Sequence, residues 1–201
     1  MTYDLILALL GFAFVTSITP GPNNMMLLAS GVNFGFMRTV PHMLGVSLGH
    51  ALMVFVVGMG LTGVMHAWPP AMIALKVASV IYMLWLAWKI AHAGAPGGTA
   101  AGAVSAAKPL NFLQAAAFQW VNPKAWAMAL GATSAYAGDG GLMAVTIVAV
   151  VFAATNLPSV SVWAAMGEAL RGWLSDPARL RVFNWTMAGL LVVSLMPVLQ
   201  M

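Results

Sequence analysis

The chain contains no cysteine, which excludes disulfides, thiol redox chemistry, an intramembrane thiol redox carrier and cysteine-based metal sites. Charge is nearly as scarce. Only 6% of the 201 residues are charged, 8 basic and 4 acidic, where a soluble domain carries about 25%. No Asp or Glu falls in the middle of a long apolar run, so a carboxylate proton relay, a sodium site or a divalent-metal site has no ligands to build it. Neither an HExxH motif nor a P-loop is present, and an enzymatic or ATPase reading lacks its residues. No metal or other cofactor is expected. The formal net charge of +4 would suggest nucleic acid in a soluble protein. Here the basic residues cluster between apolar runs, which is the pattern of membrane orientation, so nucleic acid is not an expected partner.

Apolar residues make up 62% of the chain and mean hydropathy is +0.92. A membrane helix needs about 20 apolar residues, and six such runs can be laid out at 3–31, 40–65, 71–90, 112–133, 142–166 and 182–199. A Gly/Ala-rich segment at 93–109 divides them three and three. The sequence thus predicts an all-α membrane protein of two three-helix repeats, 1–92 and 110–201, joined by a flexible cytoplasmic linker over 93–109. With three spans in each, the second repeat must insert upside down relative to the first, the inverted-repeat arrangement of many transporters. Met1-Thr2-Tyr3-Asp4 has no basic stretch before the first apolar run, and no cleavage site follows, so the first run is expected to stay in the mature protein.

Orientation follows from the basic residues. Arg38 lies in the first connection, Lys89 and Lys108 border the third, and Arg171, Arg179 and Arg181 occupy the fifth, while the connections around His66 and Asp139 have none. The positive-inside rule makes the odd connections cytoplasmic and puts both termini on the periplasmic side of a bacterial inner membrane. Lys76 and Lys124 are the exceptions, and Lys76 reads as a snorkelling interfacial residue. Trp85 and Trp88 beside Lys89, and Trp185 after Arg181, fit an aromatic belt. Asp176-Pro177 reads as an N-cap followed by proline in the first turn of the sixth helix.

Two of the runs are broken by proline. Thr19-Pro20-Gly21-Pro22-Asn23-Asn24 interrupts the first and Asn122-Pro123-Lys124 the fourth, about half a chain length apart. Proline removes a backbone donor and clashes with the preceding turn, a defect tolerated in hydrocarbon only where other groups satisfy the freed backbone. Paired breaks at corresponding positions in two halves mark a transporter binding site. At the first break, Gly21 is read as taking angles closed to other residues. Free carbonyls are expected on one side and a half-helix N-terminus suited to a carboxylate on the other. Asn23 and Asn24 add amide donors and acceptors. Lys124 sits deep in the fourth run, where an ammonium costs on the order of 3 kcal/mol on insertion scales and faces a cavity or partner.

His50 has two readings: a titrating group of a proton-linked cycle, or a hydrogen-bonded interior histidine. Gly45 and Gly49 form a small-xxx-small pair for close helix packing, compatible with a homodimer or with packing inside one chain. Asn156 and Pro158, with Ser159 and Ser161, interrupt the fifth run, either lining the pathway opposite His50 or accommodating a kink. His42 reads as interfacial, His66 and His92 as boundary residues, and Glu168 with Arg171 as a solvated pair. The 16 methionines read as adaptable packing.

The breaks, with Gly45-Val46-Ser47-Leu48-Gly49, Trp85-Leu86-Ala87-Trp88-Lys89 and Gln119-Trp120-Val121-Asn122-Pro123-Lys124-Ala125, resemble the LysE/RhtB family of amino-acid exporters, in order and over essentially the whole chain. The resemblance implies six transmembrane helices and export of amino acids or derivatives, driven by the proton gradient. The Thr19–Asn24 and Trp85–Lys89 elements look similar to the cysteine/O-acetylserine exporter group, from which the Asn122-Pro123-Lys124 element departs. The family pattern falls on Pro20, Gly21, Pro22, Asn23, Asn122, Pro123 and Lys124. The expected function is therefore a secondary transporter, not an enzyme, with a small amino acid and membrane lipid as partners. Pro20, Gly21, Pro22, Asn23, Asn24, Asn122, Pro123, Lys124 and Asn156 would form the substrate site, and His50 the proton-coupling group. The rival is a lipid-linked carrier or membrane-assembly factor using Arg171, Arg179 and Arg181 for headgroups; a channel is a further alternative.

Overall fold

The computed structural model describes residues 1–61, 69–92, 108–138 and 140–196. Residues 93–107 of the expected linker, together with His66 and Asp139, lie outside the described residues. Among the described residues every regular element is helical. They are α1 (Tyr3–Ile18), α2 (Pro22–Phe34), α3 (Phe36–Val56), α4 (Pro69–Ala91), α5 (Phe112–Phe118), α6 (Pro123–Ala132), α7 (Gly141–Leu170) and α8 (Pro177–Val193). Helix α3 runs on into a π turn, Val57–Leu61, and α6 into another, Thr133–Ala137; a 3-10 turn, Gln119–Val121, links α5 to the second break.

Each break has the same local cause. The residue before a proline is pushed out of the helical region, and Thr19 (ψ 148°) and Asn122 (ψ 109°) are both extended. Pro22 and Pro123 then open the next helix, where their missing N–H costs nothing. Between α1 and α2 the axis bends by 55°. Glycine at 35, with φ +82°, makes the one-residue turn from α2 into α3, a conformation that disfavours any side chain.

The fifth apolar run differs from expectation. Asn156 and Pro158 do not interrupt it: α7 is continuous over 30 residues, about 45 Å at 1.5 Å per residue. Hydroxyls supply bonds around the proline. Ser159 donates to the Thr155 carbonyl (2.7 Å), Thr155 to Val151 (2.8 Å) and Ser47 of α3 to Ala153 (3.0 Å), so the helix can pass through the defect. Gly45-Val46-Ser47-Leu48-Gly49 happens to spell G-x-S-x-G, but it lies inside helix α3 rather than at the strand–turn–helix junction that exposes a nucleophile. At α8 the Asp176 side chain accepts from the Ala178 and Arg179 N–H groups. Those bonds, that of Arg179 first, hold its carboxyl below the usual carboxylate range.

By length and hydropathy, two of the described helices can cross a bilayer, Phe36–Leu61 and α7, and a third if the bent pair α1 and α2 counts as one span. The outward surface is apolar: Ile73, Val77 and Ile81 recur at four-residue spacing on α4 and are all more than half exposed. A continuous apolar stripe of that kind is the surface of a protein solvated by lipid.

The interior is held by close crossings of small residues. A Cβ on Gly49 would lie 2.5 Å from the Ala116 Cα, and one on Gly45 would meet the Phe112 carbonyl oxygen and, at 2.7 Å, the Ala115 Cβ. The glycine face of α3 is thus occupied by α5 of the same chain. Helices α2 and α7 cross in the same way, with the bare Cα of Gly31 against the Ala164 carbonyl and that of Gly167 against the Leu28 carbonyl.

These contacts leave no room for added volume. Gly49→Leu should lower the thermal unfolding midpoint of the detergent-solubilised protein, with overpacking costing about 1–3 kcal/mol. Gly11→Ala, inside α1 with nothing within 4 Å of the added carbon, should not lower that midpoint and should raise it slightly, since alanine is the better helix former.

Candidate functional site

Helix α1 ends with carbonyls that have no turn to donate to them. The expected free carbonyls are in fact all answered, by side chains from three other elements. The Ser17 oxygen accepts from Asn24 Nδ2 (2.8 Å), and the Ile18 oxygen from the Trp163 indole Nε1 (3.0 Å). The Thr19 oxygen accepts from Asn24 Nδ2 (2.8 Å) and Lys124 Nζ (2.7 Å). Lys124 Nζ also donates to the Thr19 hydroxyl (3.0 Å) and the Pro20 oxygen (3.3 Å). The lysine of the second break therefore closes the first. Its three N–H donors meet three oxygens at the negative end of the α1 dipole.

The other two helix ends differ from each other. Asn122, buried, accepts the Lys124 backbone N–H on its Oδ1 (3.1 Å) and so caps α6. Gly21 has no side chain, and α2 carries no side-chain cap. Its φ of 179° and ψ of 177° describe fully extended backbone open to any residue, which corrects the expectation of special angles. Glycine is needed there for space: a Cβ would lie 2.7 Å from the Lys124 Cδ. Asn23 is paired with Gln119 through both amide groups, Nδ2 to Oε1 at 2.8 Å and Nε2 to Oδ1 at 3.1 Å, which ties α2 to the second break. Gln119 also donates to the Ala115 carbonyl (2.9 Å).

A cavity of about 20 Å³ lies between these elements, room for roughly one water. Of the sequence candidates, Gly21, Asn23, Asn24, His50, Asn122, Lys124 and Asn156 line it, with Thr16, Ser17, Ala125, Met128 and Val160. Pro20, Pro22 and Pro123 shape its walls without lining it. Among the described residues Lys124 is the one lysine or arginine that lines it, and no described acidic residue does.

His50 is 1% exposed, and neither ring nitrogen has a hydrogen-bond partner among the described residues. Its ring is held edge-on to Phe152, 5.2 Å between centroids. Asn156 donates to the Ser17 hydroxyl (3.3 Å), and its Oδ1 is unpartnered. A buried polar atom without a partner costs about 1–3 kcal/mol, and such a group calls for an explanation. His42 is 2% exposed and shares the inward face of α3 with Val46, His50 and Met53. It does not reach the cavity.

A family model for the LysE type translocator matches residues 14–196. The chain belongs to that family. It is similar to proteins named cysteine/O-acetylserine efflux protein from Escherichia coli K12, Shigella sonnei and Shigella flexneri, each 35% identical over 125 residues. That match covers 62% of this chain and 61% of each relative, so the chain spans about three fifths of the length of these curated relatives. No solved structure matches it.

Sequence reasoning missed several residues of this site besides Thr16 and Ser17, and three of them are instructive. Gln119 carried a signal, an uncharged polar side chain inside an apolar run. Thr19 stood in the first motif, but its hydroxyl was given no role. Trp163 carried no signal at all, since tryptophan at the membrane reads as an interfacial anchor. The reciprocal amide pair gives a direct check. Gln119→Leu leaves the Asn23 amide unpaired and should destabilise by about 1–3 kcal/mol. Adding Asn23→Leu should recover part of that loss, read as the coupling in a double-mutant cycle of thermal or denaturant unfolding.

Proposed function

We propose that this chain is a secondary transporter exporting small amino acids or their derivatives across the bacterial inner membrane, driven by the proton gradient. The observation that carries the reading is the meeting of the two breaks at one cavity, joined by the bond from Lys124 to Thr19. The uncapped N-terminus of α2 presents N–H groups and a positive dipole end to a carboxylate. Lys124 is the one cation in reach, a second anchor for the anion. Asn23, Asn24, Asn122 and Asn156 offer amides to the rest of the zwitterion. His50, buried, unpartnered and on the same cavity, is the proton-coupling group. A water-sized void means that substrate enters as the helices separate, as alternating access requires.

Six spans in two inverted repeats is the architecture of this proposal, and the packing supports it. One core cluster joins α1, α6, α3 and α7; another joins α5, α2, α7 and α3. These sets interchange when each first-half element is swapped for its counterpart. Helices α4 and α8, counterparts of each other, share a third cluster. Both termini are placed on the periplasmic side by the basic residues, and Arg171 lies near the α2–α3 turn at Gly35. The relatives are named for efflux of cysteine and O-acetylserine, which makes small polar amino acids the first substrates to try.

The test is efflux of labelled amino acids from vesicles with and without the protein, under an imposed proton gradient. Gradient-driven efflux of at least one small amino acid is expected. Lys124→Ala should reduce it tenfold or more, and His50→Ala should remove the effect of the gradient. Unchanged efflux of every tested amino acid in Lys124→Ala would end the anchor role, and vesicles that move lipid but no amino acid would replace the reading with that of a lipid carrier.

A further inference from the structure

We propose that the carboxyl end of α1, formed by the Thr19 and Pro20 carbonyls and the Thr19 hydroxyl, is an ammonium subsite that the substrate's α-amino group and the Lys124 ammonium occupy in turn. The inference rests on the transporter reading above and adds to it the half of the zwitterion that the uncapped α2 terminus does not address. In this structure an ammonium already sits in the subsite: Lys124 Nζ touches the three oxygens at 2.7, 3.0 and 3.3 Å. An α-ammonium carries the same charge and the same three donors, so whatever holds one holds the other. The negative end of the α1 dipole reinforces both.

The subsite and the α2 terminus lie on either side of one extended residue, Gly21, so the opposite poles of two helices face a ligand whose opposite charges are one carbon apart. Two buried side chains with unpartnered polar atoms, His50 and Asn156, point to a ligand in the same cavity. Lys124 does not simply leave, because it is the Pro20 carbonyl's one donor among the described residues and its departure costs that bond. An arriving ammonium removes that obstacle by taking over the bonds. The displaced lysine then passes over the bare Cα of Gly21, where a Cβ would stand 2.7 Å from its Cδ, to pair with the substrate carboxylate. Each charge has a partner before and after the exchange. The site thus selects compounds with a free α-ammonium, and the tethered lysine competes with weak or incomplete ligands.

The competition can be read without transport. Thr19 and Pro20 are exposed, so a small amine can reach the subsite once the tether is removed. The purified protein in detergent would be titrated with ethylammonium chloride, with tetramethylammonium chloride as a cation lacking N–H donors, following the thermal unfolding midpoint. Lys124→Met should bind ethylammonium at least tenfold more tightly than the unaltered protein, with tetramethylammonium inert in both. Lys124→Gln, whose amide can still donate to the carbonyls, should behave likewise if the Met variant does not fold. Adding Thr19→Val should weaken the gain. Equal response of the unaltered protein and the variants to ethylammonium, no response in either variant, or an equal response to tetramethylammonium would overturn the subsite. None of these results depends on whether amino acids are exported, which the efflux experiment decides separately.

Discussion

Backbone carbonyls at the end of a helix need donors, and in lipid there is no water to supply them. At the end of α1 that requirement organises the centre of the molecule. Four consecutive carbonyls, from Ser17 to Pro20, are answered by Asn24 from α2, Trp163 from α7 and Lys124 from α6. Each of these bonds fixes the position of another helix relative to the break. The Asn23–Gln119 amide pair completes the arrangement from the opposite side. The breaks are therefore one joint between the halves of the chain, beside the glycine crossings of α3 with α5 and of α2 with α7.

The two breaks share a grammar and differ in use. Both put an extended residue before a proline and start a half-helix at that proline. Asn122 turns its side chain inward to cap its own helix, whereas Gly21 leaves its helix uncapped and makes room for Lys124. One helix end is thereby closed and the other left open to a ligand. The room left by Gly21 admits Lys124, the one lysine or arginine lining the cavity among the described residues, which fits the proposed ligand with a carboxylate. Among the described residues, buried polar atoms without partners occur on the inward face of α3 and at Asn156, whereas the glycines of α2, α3 and α7 sit in close contact with neighbouring helices.

Much of the fold was legible in order of residues. The apolar runs, both proline breaks, the Asp176-Pro177 start of α8 and the close-packing glycines of α3 each have a local cause, and local causes are written in sequence. Less legible were features that depend on a neighbour. Pro158 looked like an interruption, but α7 runs on through it, with Ser47, Thr155 and Ser159 hydroxyls bonded to carbonyls of the neighbouring turns. His42 looked interfacial by its distance from Arg38, but it faces the bundle because it lies in register with His50.

The sequence by itself determined where the helices break, since proline acts on the residue before it and on its own missing N–H, whatever surrounds them. It also determined that the protein is solvated by lipid, since composition alone leaves too little charge for a water-facing surface. Only the tertiary structure decided what the breaks touch. It paired Lys124 with carbonyls 104 and 105 positions away, Asn23 with an amide 96 positions away and Trp163 with Ile18. Those partners are set by how helices cross, and a crossing depends on shape complementarity between segments that no local pattern in the chain records.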